Sequence, residues 1–120
     1  MSRRKIRLTK PPPPPPHLSE RTAAHWKTLA EICVRLRTLR EADLSALELL
    51  AATLATEQQA REQLEKDGLT VTTGAGGVKP HPAVRMAETA RAQAISLLDR
   101  FGLNPKARSG VSAIDDDDRY

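Results

Sequence analysis

Apolar residues recur every three or four positions along three stretches of the chain, which is the pattern of an amphipathic helix. The first stretch follows Ser19, whose hydroxyl can cap free backbone N–H groups, and it continues to Leu39. Its apolar positions are Ala23, Trp26, Leu29, Ile32 or Cys33, Leu36 and Leu39. This periodicity predicts a helix of about 20 residues with Trp26 on its buried face.

Two further helices follow from the same periodicity. The second is predicted from a cap at Asp43 to a glycine terminator at Gly68, with an apolar first half and a polar second half. The third is predicted from Pro82, at the first helical position, to about Phe101, before Gly102. A short helical turn is expected from Asn104.

The segment between the second and third helices has a different pattern. Residues 69–73 are mostly β-branched, residues 74–77 are rich in glycine, and residues 78–80 can extend again, which predicts a small β-hairpin with a flexible loop as the open alternative. We therefore expect an all-α domain in which an antiparallel pair, helices one and two, is covered by helix three. Both termini are expected to be disordered.

Charge is concentrated at the two ends of the chain, whose formal net charge is +4. Five cations and no acid occupy the first ten residues: Arg3, Arg4, Lys5, Arg7 and Lys10. Pro11 to Pro16 would form a polyproline helix of roughly 19 Å, which we expect to hold this arm away from the body, unless it is a plain disordered tail. Four aspartates, Asp115 to Asp118, lie near the other end.

The basic residues are the best chemical signal in the sequence. The arm could neutralise several phosphates of duplex DNA, but it offers no geometry for reading bases. Arg35, Arg37 and Arg40 form a second basic patch around the end of the first helix, with a solvated helix face as the alternative reading. We predict that these eight residues bind DNA.

No catalytic or metal-binding pattern is evident in the sequence. His17, His25 and His81 lack metal-ligand spacing, and Cys33, the only cysteine, is expected to be a small buried apolar residue. A mobile run of aspartates cannot supply a fixed metal site. No apolar stretch is long enough to span a membrane. We expect a soluble, intracellular protein without enzymatic activity, metal or cofactor.

Several short motifs occur in an order that resembles the small subunit of phage terminase, in the family called P-twenty-seven. After the proline run they are His17-Leu18-Ser19, Trp26, Leu39 to Asp43, Leu64 to Gly68, His81-Pro82-Ala83, and Gly102-Leu103 with Pro105 and Arg108. The resemblance extends from about Pro16 to Arg108 and concerns fold markers more than DNA-contacting residues.

The resemblance implies a role in packaging viral DNA in the host bacterial cytoplasm. Proteins of this kind recognise concatemeric double-stranded viral DNA and present it to a large subunit that holds the ATPase and nuclease. They typically assemble as closed rings of about eight to twelve subunits. Many carry a separate N-terminal helix-turn-helix, which is not evident here. The acidic tail, with Asp115, Asp116, Asp117, Asp118 and Tyr120, is then the expected contact with the large subunit.

These expectations divide the chain into a basic arm and spacer (1–17), a helical domain (18–109) and an acidic disordered tail (110–120). Two other functions remain open: a small helical DNA-binding regulator and a helical adaptor without a nucleic-acid role. Salt-dependent DNA binding would exclude the adaptor, and a large ring would separate the packaging subunit from a dimeric regulator.

Overall fold

The computed structural model describes residues 7–103 and consists of three helices with a small antiparallel sheet between the second and third. The elements are α1 (Glu20–Arg35), α2 (Leu44–Asp67), β1 (Thr70–Thr72), β2 (Val78–Pro80) and α3 (Pro82–Arg100), with a single 3₁₀ turn, Glu41–Asp43, before α2. The predicted all-α class and the small hairpin are both confirmed.

Helix α1 begins as predicted but ends four residues before the predicted end at Leu39. The Ser19 hydroxyl accepts a hydrogen bond from the Thr22 backbone N–H at 3.2 Å and caps the first turn. At the other end Arg37 has a φ of 61°, and the Thr38 N–H reaches back to the Cys33 carbonyl at 3.0 Å. This is the left-handed closure that usually uses glycine. The reversal sends Leu39 back into the core, where it is fully buried.

Helix α2 has the predicted length, and Gly68 ends it with a φ of 83°. The role predicted for Asp43 is wrong in detail. Its carboxylate accepts the Arg40 backbone N–H at 3.0 Å and closes the 3₁₀ turn, and it makes no hydrogen bond to the first turn of α2. Asp43 therefore shapes the corner between α1 and α2.

The hairpin leads directly into α3. Val71 pairs with Lys79 at the centre of the two strands, and Gly76 takes a positive φ in the connecting turn. His81 then caps α3, because its ring Nδ1 accepts the Ala83 N–H at 3.0 Å, and Pro82 occupies the first turn. Gly102, with a φ of 66°, ends the helix as predicted. The turn predicted from Asn104 lies outside the described residues.

The main core joins all three helices near the corner between α1 and α2. Its largest fully buried side chains are Trp26, Cys33, Leu39, Leu47 and Leu50, and α3 adds Ala94, Leu97 and Phe101. Towards the hairpin, α2 and α3 approach through alanines. His81 bonds Asp67 and Arg91 bonds Glu57, so the two helices run antiparallel. Arg61 and Arg91 beside Glu57 lower the pKa of that carboxyl.

The chain before α1 lies against the helical body, which corrects the prediction of a spacer that holds the basic arm away. The Leu8 N–H donates to the Leu39 carbonyl at 2.8 Å, and the Leu8 side chain packs on the main core. The Trp26 indole N–H donates to the Pro12 carbonyl at 2.9 Å. We call residues 8–16 the proline strap. Its docking depends on tertiary contacts that a proline run does not reveal.

Candidate nucleic-acid interface

Two of the predicted DNA-binding arginines lie side by side although they are far apart in sequence. Arg7 and Arg40 face one another in an isolated antiparallel bridge, next to the hydrogen bond between Leu8 and Leu39. Directly opposite residues in such a pair have Cβ atoms about 5 Å apart. The bridge thus joins the predicted arm to the predicted second patch.

Arg37 completes this group, because its left-handed backbone turns the chain from α1 towards Arg40. The Nε atoms of Arg7, Arg37 and Arg40 are all buried. Their side-chain stems are therefore laid against the body and do not extend freely into solvent. We call these three residues the arginine corner.

The other described cations of the prediction lie close to the arginine corner in sequence. Arg35 is exposed in the last turn of α1, where its positive charge interacts favourably with the helix dipole. Lys10 is exposed on the proline strap. Arg3, Arg4 and Lys5 lie outside the described residues, as do Asp115 to Asp118 and Tyr120.

The described arginines differ in whether they form ion pairs. Arg21, Arg61 and Arg91 each pair with a glutamate of α2. Within residues 7–103, by contrast, neither Arg35 nor Arg40 forms an ion pair. Arg35 and Arg40 could therefore accept an anion as a partner.

The proline strap is the part of this surface that the sequence interpretation missed. It fixes the backbone of Arg7 through Leu8 and reaches the core through Pro12 and Trp26. Trp26 is 2% exposed, which confirms its predicted place in the core. The one sequence feature that could have indicated the docking of the strap is Trp26 itself, because a buried indole N–H needs a hydrogen-bond acceptor.

The described histidines and the cysteine serve structural roles. His17 bonds Glu48, His25 bonds Gln58 and His81 bonds Asp67, so each histidine contacts a side chain of α2. Within residues 7–103, no cluster of three or more His, Cys, Asp or Glu side chains could hold a metal ion. Burial raises the pKa of the Cys33 thiol to about 11, as expected for a packed apolar side chain.

None of the helices between residues 7 and 103 combines the length and the apolar character that a bilayer span requires.

Comparison with known proteins places most of the chain in one family. Residues 22–118 match the family model described as "Phage terminase, small subunit". No curated protein and no solved structure matches the chain. The matched range begins inside α1, so Arg35, Arg37 and Arg40 fall within it, whereas Arg7 and the proline strap precede it.

Proposed function

Because the chain belongs to the phage terminase small subunit family, we propose that it is the non-catalytic subunit that binds viral DNA and delivers it to the large packaging subunit. The arginine corner is the observation that supports this assignment. Two segments that are remote in sequence bring Arg7 and Arg40 together, and Arg37 lies just after the end of α1, shortly before Arg40 in the chain. Arginines that lie close together and pack their aliphatic side-chain atoms on the protein surface can direct their guanidinium groups to the phosphate backbone of duplex DNA.

Binding at this corner would rest mainly on the release of counterions. Each phosphate neutralised contributes about 0.9 to the slope of log affinity against log salt on B-DNA. Arg7, Arg37 and Arg40 would supply up to about 2.7 of that slope, and Arg3, Arg4 and Lys5 would extend it as the chain leaves the bridge at Arg7. Contacts to phosphates position a protein on DNA but do not distinguish one base sequence from another. This surface would therefore explain affinity for DNA and not the choice of a DNA site.

A charge-removal experiment tests the proposal. In the triple variant Arg7→Gln, Arg37→Gln, Arg40→Gln, we expect affinity for duplex DNA to fall about ten- to a hundredfold near physiological salt, with a slope smaller by about 2 to 3. Fluorescence anisotropy of a labelled duplex over a salt series measures both quantities.

A matched control removes the same charge from the far end of the molecule. Lys66, Lys79 and Arg85 are exposed around the end of α2, β2 and the start of α3. Changing all three to glutamine should leave the salt slope nearly unchanged. Equal losses in the two triple variants would show that only net charge matters, and the arginine corner would not be the site.

Assembly into a ring is part of the proposal, because one copy of the corner would bind DNA weakly and several copies would multiply the local charge. The exposed faces of α2 and α3 support self-association through these helices, since Leu49, Met86 and Ile95 each leave more than half of the residue surface exposed. A shallow groove lined by Thr56, Met86 and Gln93 runs between α2 and α3.

The acidic tail is proposed as the contact with the large subunit, which would present a basic surface to Asp115–Asp118 and Tyr120. Deleting Asp115 to Tyr120 should weaken capture of the large subunit while native mass spectrometry still finds about eight to twelve copies. Unchanged capture by the shortened protein would contradict this role. A monomer or dimer in the full-length protein would instead favour a regulator or an adaptor over a packaging subunit. We propose the host bacterial cytoplasm as the place of action.

A further inference from the structure

The proline strap has few ways to hold its position. Proline has no backbone N–H, and a polyproline helix makes no internal hydrogen bonds, so such a segment attaches through its carbonyls and ring surfaces. Leu8 fixes one end at Leu39, and Leu18 packs against the main core at the other. Between these ends, the hydrogen bond from Trp26 to Pro12 ties the strap to α1.

Trp26 is well suited to act as an anchor. It is the only tryptophan of the chain, it lies in the main core at 2% exposure, and its indole N–H points out of that core to the Pro12 carbonyl. A buried indole N–H without an acceptor is costly, so the ring and the strap stabilise each other's position.

The short segment between Pro12 and Arg7 carries this position on to Arg7. Residues 8–11 connect the two, the backbone bends at Thr9 and Lys10, and a segment of this length reaches at most about 18 Å. Fixing Pro12 therefore restricts where the residues before Pro11 can lie. It favours the register in which Leu8 bonds Leu39 and Arg7 faces Arg40.

We infer that Trp26 is a positioning residue for nucleic-acid binding, which acts through the proline strap to hold Arg7 in the arginine corner. The inference rests on the proposed function for its DNA readout, whereas the docking of the strap can be measured without DNA. The chain around Arg7 is then held in its binding position before DNA arrives. Trp26 contributes to this preorganisation without contacting the nucleic acid.

The test compares Trp26→Phe, which keeps an aromatic ring but has no N–H, with Thr28→Ala, an exposed change on the same helix. Amide hydrogen exchange in the full-length protein without DNA reads out docking directly. We expect protection of the Leu8 amide to fall about tenfold in Trp26→Phe, the effect of one lost hydrogen bond. The Leu50 amide in α2 reports global stability, so any loss of protection there measures the core packing that the smaller ring gives up. Equal losses at both amides, or none at Leu8, would overturn the anchoring role.

Duplex DNA binding then tests the positioning role in a double-mutant cycle. We expect Trp26→Phe to weaken binding about three- to tenfold and to lower the salt slope by up to about 1, the share of a single phosphate contact. In an Arg7→Gln background the same change should have almost no further effect. An equal loss with and without Arg7 would overturn the inference. If the unaltered protein shows no salt-dependent DNA binding, the proposed function fails. The hydrogen-exchange result still decides whether Trp26 holds the proline strap in place.

Discussion

Arg37 occupies a backbone position where glycine is the usual residue. Among residues 7–103 it is the only non-glycine residue with a positive φ, and its neighbours make the hydrogen bonds of a helix-ending motif. A left-handed conformation costs a residue with a Cβ atom about 1 kcal/mol. Backbone strain of this kind concentrates at functional sites, and the proposed binding of DNA by the arginine corner would account for it.

Replacing Arg37 should therefore separate stability from binding. We expect Arg37→Gly to change the free energy of unfolding by less than about 1 kcal/mol, since relief of strain is opposed by the loss of the side chain's own contacts and the added freedom of the unfolded chain. The same variant should bind duplex DNA several-fold more weakly. Urea denaturation and anisotropy titration measure the two effects.

Arg37→Lys is the matched control, because it keeps both the charge and the Cβ atom. It should retain most of the affinity and gain no stability. If Arg37→Gly binds DNA as well as the unaltered protein, Arg37 has only a structural role.

Single residues with strong local preferences were predictable from sequence. Ser19 caps its helix, Pro82 begins its helix, and Gly68 and Gly102 end theirs, because these residue types act through their own backbone or nearest neighbours. The end of α1 was not predictable, since an arginine takes the place where a glycine would have marked it.

At the scale of elements, periodicity located the three helices and residue type located the hairpin. The polar residues in the second half of α2 predict a solvent-exposed segment. The Glu57 side chain is nevertheless largely buried between Arg61 and Arg91, because α3 covers it. Such cross-helix pairs depend on tertiary placement, which a single helical pattern does not contain.

The proline strap is the element that sequence reasoning misjudged most. Its composition predicts an extended, stiff segment, but stiffness does not say whether a segment stands free or lies along a surface. Two hydrogen bonds decide the question here, from Leu8 to Leu39 and from Trp26 to Pro12. Both partners are remote in sequence, so no local pattern predicts them.

For the whole molecule, these elements separate two ends with different surfaces. The arginine corner lies before the start of α2 and the hairpin follows its end, and 24 residues of helix span about 36 Å. Positive charge collects at the first end. The exposed apolar residues Leu69 and Val78 lie at the second. In an assembly, one end would face DNA and the other would be available for protein contacts.

The most direct test of this account maps where DNA touches the protein. Backbone NMR shifts, or amide exchange if the assembly is too large, would be recorded for the full-length chain with and without a short duplex. We expect changes concentrated at residues 7–10 and 35–41 and nearly none at residues 70–80. Changes centred on the hairpin or the groove between α2 and α3, or no changes at low salt, would contradict the assignment of the arginine corner as the DNA-binding surface.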